Sequence, residues 1–207
     1  VAEGADAAIW CASGFNEAGE AIDVSGIPRL AKAFPAAAGP EAPPKLVMCS
    51  SAGVTRPDWP EAKKELLIGA SDIPIIRLNP GGILGQKVVV ETSLREAAVP
   101  SCIVRPTGLK DDWPSGRPIL SQGDVAVGRT APADLARVLV GLLDEPAASG
   151  KTMEMFTLQG YPAGELATSL EGLAPDTAPP TEAAVEASYR LLQQMLPGEQ
   201  QDATKLE

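Results

Sequence analysis

The chain has 207 residues, 44% of them hydrophobic and 21% charged, enough to bury a core of one or at most two domains. Its 17 basic and 27 acidic residues leave a net charge of -10, and no Lys/Arg run reverses that locally, which argues against nucleic acid as a partner. Histidine is absent, removing the Ser-His and Cys-His couples and the commonest metal ligand, and no stretch approaches the roughly 20 apolar residues that span a bilayer, so no transmembrane segment is expected and only peripheral association with a membrane complex stays open.

Residues 7–14 (AAIWCASG), 44–53 (PKLVMCSSAG) and 101–108 (SCIVRPTG) are short apolar runs that end in small residues, Pro or Gly. Buried parallel strands have this form where they deliver a polar loop at their carboxyl ends, so all three are predicted as central strands. Each run also carries one of the three cysteines, Cys11, Cys49 and Cys102. Their odd number and apolar settings predict reduced core thiols rather than a disulfide framework, and no metal site is expected. Between the first two runs, Val24, Ile27, Leu30, Ala31 and Phe34 predict a helix over 23–38.

Residues 55–83 form a long insert with two Pro-terminated turns and an apolar IPII, read either as an interaction surface or as a self-packed lid. A helix over 83–98 follows, with Leu84, Val88, Leu94 and Ala98 in register. Its Lys87 lies one turn beyond Ile83 on the same face and four before Glu91, an i,i+4 partner if the lysine is a surface residue. Trp113 sits among turn residues in 111–118, and GDVAVGR (123–129) predicts an edge or hairpin segment over a cleft. Arg105 and Arg129 lie near strand ends, where ion pairs with the many carboxylates are the simpler reading.

Thr130 as N-cap, Pro132 in the first turn and Leu135, Val138, Leu139 and Leu142 on one face predict a helix that Pro146 stops, with Asp134 placed favourably against its dipole. KTMEMFTLQG (151–160) alternates as a strand with one covered face. APDTAPP (174–180) reads as a linker, and 181–198 as a capped amphipathic helix with Val185, Tyr189, Leu192 and Leu196 in register, a docked appendage. Strands alternating with helices give an α/β fold.

With strands ending in CASG and CSSAG, a helix carrying Lys87-x-x-x-Glu91, and then IVRPTGL, the chain resembles the atypical, NmrA-like branch of the short-chain dehydrogenase/reductase family, and within it the plastid NAD(P)-binding proteins. The resemblance implies a Rossmann-like parallel sheet over 1–160, followed by a linker and C-terminal helical extension over 161–207. It implies that Ala12, Ser13 and Gly14 pass the adenosine and ribose, that Ser51 polarises a substrate carbonyl, that Lys87 holds the nicotinamide ribose, and that Pro106, Thr107 and Gly108 lie beside the nicotinamide.

Two departures qualify this. The family's tyrosine, which exchanges the proton in hydride transfer, falls on Ile83, and isoleucine can neither donate nor accept one. Nothing before residue 7 matches the family's glycine-rich diphosphate turn, so two βαβ-sized units, about 60–80 residues, are expected to be missing from the N-terminal side, and with them the first strands of the sheet. NAD(P) is therefore the implied cofactor of a full-length protein, with none expected for residues 1–207 alone. The expected function is that of a catalytically degenerate NAD(P)-binding-type subunit, assembled with other protein subunits of a larger complex in the plastid stroma, or else soluble in the cytoplasm. The alternatives are an NAD(P)H-dependent oxidoreductase with a non-standard proton donor, Ser51 and Lys87 being the remnants of its site, and an NmrA-like dinucleotide sensor.

Overall fold

The computed structural model of the protein describes residues 4–35 and 42–196. The three apolar runs become β1 (Ala8–Trp10), β2 (Leu46–Cys49) and β3 (Ser101–Pro106), which pair in parallel, with Trp10 opposite Met48 and Met48 opposite Ile103. A fourth parallel strand, Lys151–Gln159, pairs with β3 and carries an antiparallel edge strand, Gly116–Ser121, giving a five-stranded sheet. In chain order these two are β5 (116–121) and β7 (151–159). Between them in sequence the two-residue strands β4 (Gly108–Leu109) and β6 (Arg129–Thr130) pair with each other. Contrary to expectation, β1 is not central among the described residues: it is the edge of the sheet and only half-buried.

Period-two alternation sends side chains to two covered faces. Leu46, Met48 and Ile103 meet Ile27 and Ala31 of α1 (Ile22–Ala31) and Val90 and Leu94 of α5 (Ile83–Glu96). Val47, Cys102, Val104, Met153 and Met155 meet Leu135, Val138 and Leu139 of α6 (Pro132–Gly141). This is a doubly wound arrangement. α1 is shorter than 23–38: it carries Pro28, which lacks a helix donor, and stops at Ala31, while positions 36–38 lie outside the described residues. Gly26 is required where Trp10 crosses α1, because a Cβ there would lie 2.1 Å from the indole.

The expected cap of α6 is corrected. Ala131 is the N-cap, and the Thr130 hydroxyl instead donates to the Met155 carbonyl at 3.0 Å, fastening β6 to β7. Asp134 does lie in the first turn, but it is buried and accepts from the Gly116 N–H at 2.9 Å and the Thr157 hydroxyl at 3.0 Å. β7 also differs from its prediction, since both of its faces are covered. On the side away from α6, Phe156 packs with Val125, Ala126, Trp59, Leu67 and Ala70, and with Val185 and Leu192 of α8 (Glu182–Met195).

The 55–83 insert is thus self-packed and helical, as α2 (Glu61–Leu66), α3 (Ile68–Ser71) and α4 (Pro74–Leu78), with α8 as its cover and α7 (Leu166–Glu171) on the α6 side. Thr181 caps α8 as expected, its hydroxyl accepting from the Ala184 N–H. Residues 124–127 are a buried loop rather than the expected edge or hairpin segment. Glu154 on β7 accepts from the N–H groups of Asp124, Val125 and Ala126 at 2.5, 2.9 and 2.9 Å, and Asp124 accepts in turn from Gly53 and Thr55. Arg56, fully buried, closes the network by donating to the Ala70 and Ala126 carbonyls. The 174–180 segment is anchored rather than loose, since Asp176 accepts from the Thr152 N–H and hydroxyl, both at 2.8 Å, and pairs with Arg95.

Candidate functional site

At the carboxyl ends of β1, β2 and β3 the sheet opens into a crevice of about 380 Å³, the position at which open α/β sheets bind ligands. Cys11, Ala12, Ser13 and Gly14 line it from the loop after β1, Cys49 from the end of β2 with Ser50 and Ser51 from the loop after it, and Pro106 from β3; Ile83, Leu84 and Lys87 form the α5 wall. Of the residues marked in the sequence, the structure brings together Ala12, Ser13, Gly14, Ser51, Lys87 and Pro106. It sets two apart. Thr107 is buried behind the crevice, its hydroxyl 3.0 Å from that of Thr130, and Gly108 lies in β4 against the Arg129 side chain.

Lys87 lines the crevice as expected of a site residue, but it is not the surface partner of Glu91. It is buried, and its Nζ lies 2.8 Å from Oδ2 of Asp23 in the first turn of α1, while the Trp10 Nε1–H donates to Oδ1 at 2.8 Å. Glu91 is taken elsewhere: it accepts from the Ser50 hydroxyl at 2.6 Å and from Arg105 at 3.0 and 2.5 Å, with Arg95 on its outer side at 2.9 Å. Burial works against the charge of Arg105, but the hydrogen bonds and charge of Glu91 outweigh it and hold the guanidinium ionised, its pKa above the usual value. Ser51 faces the crevice with its hydroxyl donating to the Ala52 carbonyl at 3.0 Å.

Asp23 and Trp10 are the partners that sequence reasoning missed, whereas Arg105 makes an ion pair with a carboxylate, Glu91, as expected. The available signal was a single acidic residue opening an otherwise apolar helix, Asp23, matched by the single basic residue in the apolar part of α5.

The cation inventory decides what this crevice can hold. Among its described lining residues Lys87 is the one cation, and Asp23 already neutralises it. The loop from β1 to α1 adds the exposed carboxylates Glu17 and Glu20. A diphosphate at the start of α1 would therefore meet acidic side chains rather than bare N–H groups. Among its described lining residues the crevice therefore offers no uncommitted cation to a diphosphate. A larger cavity of about 900 Å³ lies between α2, α8 and the start of β7, where Arg95, Arg105, Glu154 and Asp176 all have partners already. No group of three or more Cys, Asp or Glu among the described residues is arranged to hold a metal, and no described helix is long and apolar enough to cross a membrane.

The cysteines do not share one environment. Cys102 is buried, Cys49 partly so, and Cys11 is exposed, which corrects the expectation of three core thiols. Burial pushes the Cys49 thiol up to about 12, with neighbouring Cys11 adding and Lys87 opposing, and burial also pushes Cys102 up to about 12. In the unfolded chain both would ionise near ~8.5. Between those values the folded state holds protons that the unfolded state releases, so this stability is complete below about pH 8.5 and is lost as pH rises toward 12. The expected loss is up to about 1.4 kcal/mol per pH unit for each thiol. Urea midpoints at pH 7.5 and pH 10 measure it, and Cys102→Ala is expected to flatten the dependence by one thiol's share.

The layered sheet and the crevice at its carboxyl edge define a Rossmann-like, doubly wound α/β protein of the dinucleotide-binding class. The NAD(P)H-binding family matches residues 1–146, and the chain belongs to it. Among solved structures it is similar to a Bacillus halodurans protein described as an NAD-dependent epimerase/dehydratase, at 21% identity and a TM-score of 0.57, covering 81% of this chain and 70% of that one. It is also similar to an oxidoreductase of Lactococcus lactis, at 17% identity and a TM-score of 0.60, covering 82% of this chain and 68% of that one. These likenesses carry the fold. No curated protein matches the sequence.

Proposed function

We propose that this member of the NAD(P)H-binding family is catalytically degenerate and serves as a structural, assembly or regulatory subunit of a larger complex, of plastid type. The observation that carries the reading is the α5 wall. Ile83 stands in the crevice one turn before Lys87, where the resemblance to the short-chain dehydrogenase/reductase family implies a proton-exchanging tyrosine, and Lys87 is itself held by Asp23. Neither side chain offers a free proton to a substrate carbonyl. A partner is supported by β1, an apolar strand that pairs on one side only among the described residues and so presents unpaired backbone groups to a further chain. Its contact with a membrane complex would be peripheral.

When bound, NAD(P)H supplies a hydride. What this chain contributes is a neutral pocket for ring and ribose, formed by Ala12, Ser13, Gly14, Ser51 and Pro106, with Lys87, held by Asp23, in its α5 wall. The test is a titration of NADPH into residues 1–207, followed by nicotinamide fluorescence, with ketone and quinone reduction assayed alongside. Binding weaker than micromolar and no turnover above background are expected. Ile83→Tyr is expected to leave the affinity unchanged and to raise whatever reduction remains. Turnover by the wild type near the ordinary ~10 s⁻¹ overturns the reading in favour of an oxidoreductase that draws its proton from Ser51 or Cys11. Sub-micromolar binding without turnover points to a dinucleotide sensor.

A further inference from the structure

Two sulfur atoms meet at the floor of the crevice. Trp10 of β1 is in register with Met48 of β2, so the next pair along the two parallel strands is Cys11 and Cys49. Ile9, Val47 and Cys49 turn toward the α6 face, and alternation carries Cys11 to the same side. Adjacent strands run about 4.8 Å apart, inside the roughly 4.4–6.8 Å between Cα atoms that a disulfide spans. Both thiols line the crevice and both are unoxidised in the structure, and Cys11 is close enough to help push the Cys49 thiol up. Cys11 is exposed and Cys49 shielded, so a reagent entering the crevice reaches Cys11 first. Cys102 lies one strand further in, buried under α6.

We propose that Cys11 and Cys49 form a redox-active dithiol, which small hydroperoxides convert to a disulfide across the first two strands of the sheet and which thiol reductants restore. The Cys11 thiolate attacks one peroxide oxygen, the O–O bond breaks, the departing oxygen leaves as alcohol or water after taking a proton, and Cys11 becomes a sulfenic acid. The Cys49 sulfur then attacks the Cys11 sulfur, the S–O bond breaks, and water leaves carrying the Cys49 proton. Two thiols have lost two electrons and two protons, and the peroxide has become one alcohol and one water. Because burial keeps Cys49 protonated, the second step is the slow one, and the sulfenic acid lives long enough to be trapped. The bond ties the 11–14 loop to the 49–51 loop, so the oxidised crevice is fixed at one width whether or not a dinucleotide binds there.

Hydrogen peroxide added to the native 207-residue chain, followed by alkylation of remaining thiols and peptide mapping, tests this directly. The expected product is a Cys11 peptide joined to the Cys49 peptide, lighter by two hydrogens, with Cys102 alkylated throughout and the link reversed by dithiothreitol. Dimedone added early should label Cys11 and suppress the link. Cys11→Ser, at an exposed position, should leave the fold intact and Cys49 alkylated. The same treatment in urea should give less of the Cys11–Cys49 link relative to links through Cys102. Native oxidation that yields only dimers through Cys11, or irreversible sulfinic acid at Cys11 with Cys49 still free, overturns the proposal, as does a link that forms as readily in the denatured chain.

Discussion

Glu91→Leu is expected to destabilise the protein by about 3–5 kcal/mol, the cost of leaving a buried charge without its partner. Glu91 is fully buried and receives three side chains at once: the Ser50 hydroxyl and the guanidinium groups of Arg105 and Arg95. Arg105 decides the size of the effect, because it is only 6% exposed and, once Glu91 is gone, no other carboxylate among the described residues accepts a hydrogen bond from it. Arg95 is 31% exposed and pairs with Asp176 as well, so its share is small. Adding Arg105→Leu to Glu91→Leu should recover more than half of the loss, since an apolar pair of similar volume avoids the desolvation that both charges suffer. Urea denaturation of the wild type, the two single variants and the double variant gives the coupling. A double variant no more stable than Glu91→Leu alone would mean that packing, not charge, makes this site costly.

The second large effect is expected at Asp23. Asp23→Ala removes the carboxylate that holds both the Lys87 ammonium and the Trp10 indole N–H, the two ions being 2% and 8% exposed at their side chains, and should cost about 3–5 kcal/mol. Asp23→Asn separates the contributions, because the amide oxygen still accepts from the indole while the charge is lost. Lys87→Met in the Asp23→Asn background should regain part of the stability. Trp10 emission reports whether the indole stays in place through the series. If Asp23→Ala unfolds no more readily than the wild type, Lys87 is not confined as described and the case for a disabled crevice weakens with it.

These two pairs also mark where sequence reading stops. The strands were legible because a buried strand must be apolar on both faces, and AAIWCASG, PKLVMCSSAG and SCIVRPTG are. α5, α6 and α8 were legible from their apolar spacing, and Thr181 from its capping chemistry. Thr130 looked equally suited to cap a helix, but β7 competes for its hydroxyl, and a strand yet to be placed cannot be weighed from the local sequence. The short helices α2, α3 and α4, of four to six residues, carry no full period of hydrophobicity to detect. Lys87 had an obvious local partner in Glu91, four residues away, whereas its actual one lies 64 residues back on another helix. Six of the residues marked by resemblance share one crevice because the carboxyl ends of adjacent parallel strands must converge, whatever chemistry they serve.

The dependence of the 55–83 helices on α8 bears on how the polypeptide is made. Trp59, Leu67 and Ala70 share one apolar cluster with Val185, Leu192 and Phe156. A ribosome adding about 5–20 residues per second delivers the insert well before its cover. For most of that interval the insert's apolar side chains lack Phe156 of β7, and for all of it they lack the cover of α8. Closure of the cluster around the insert therefore waits until α8 emerges.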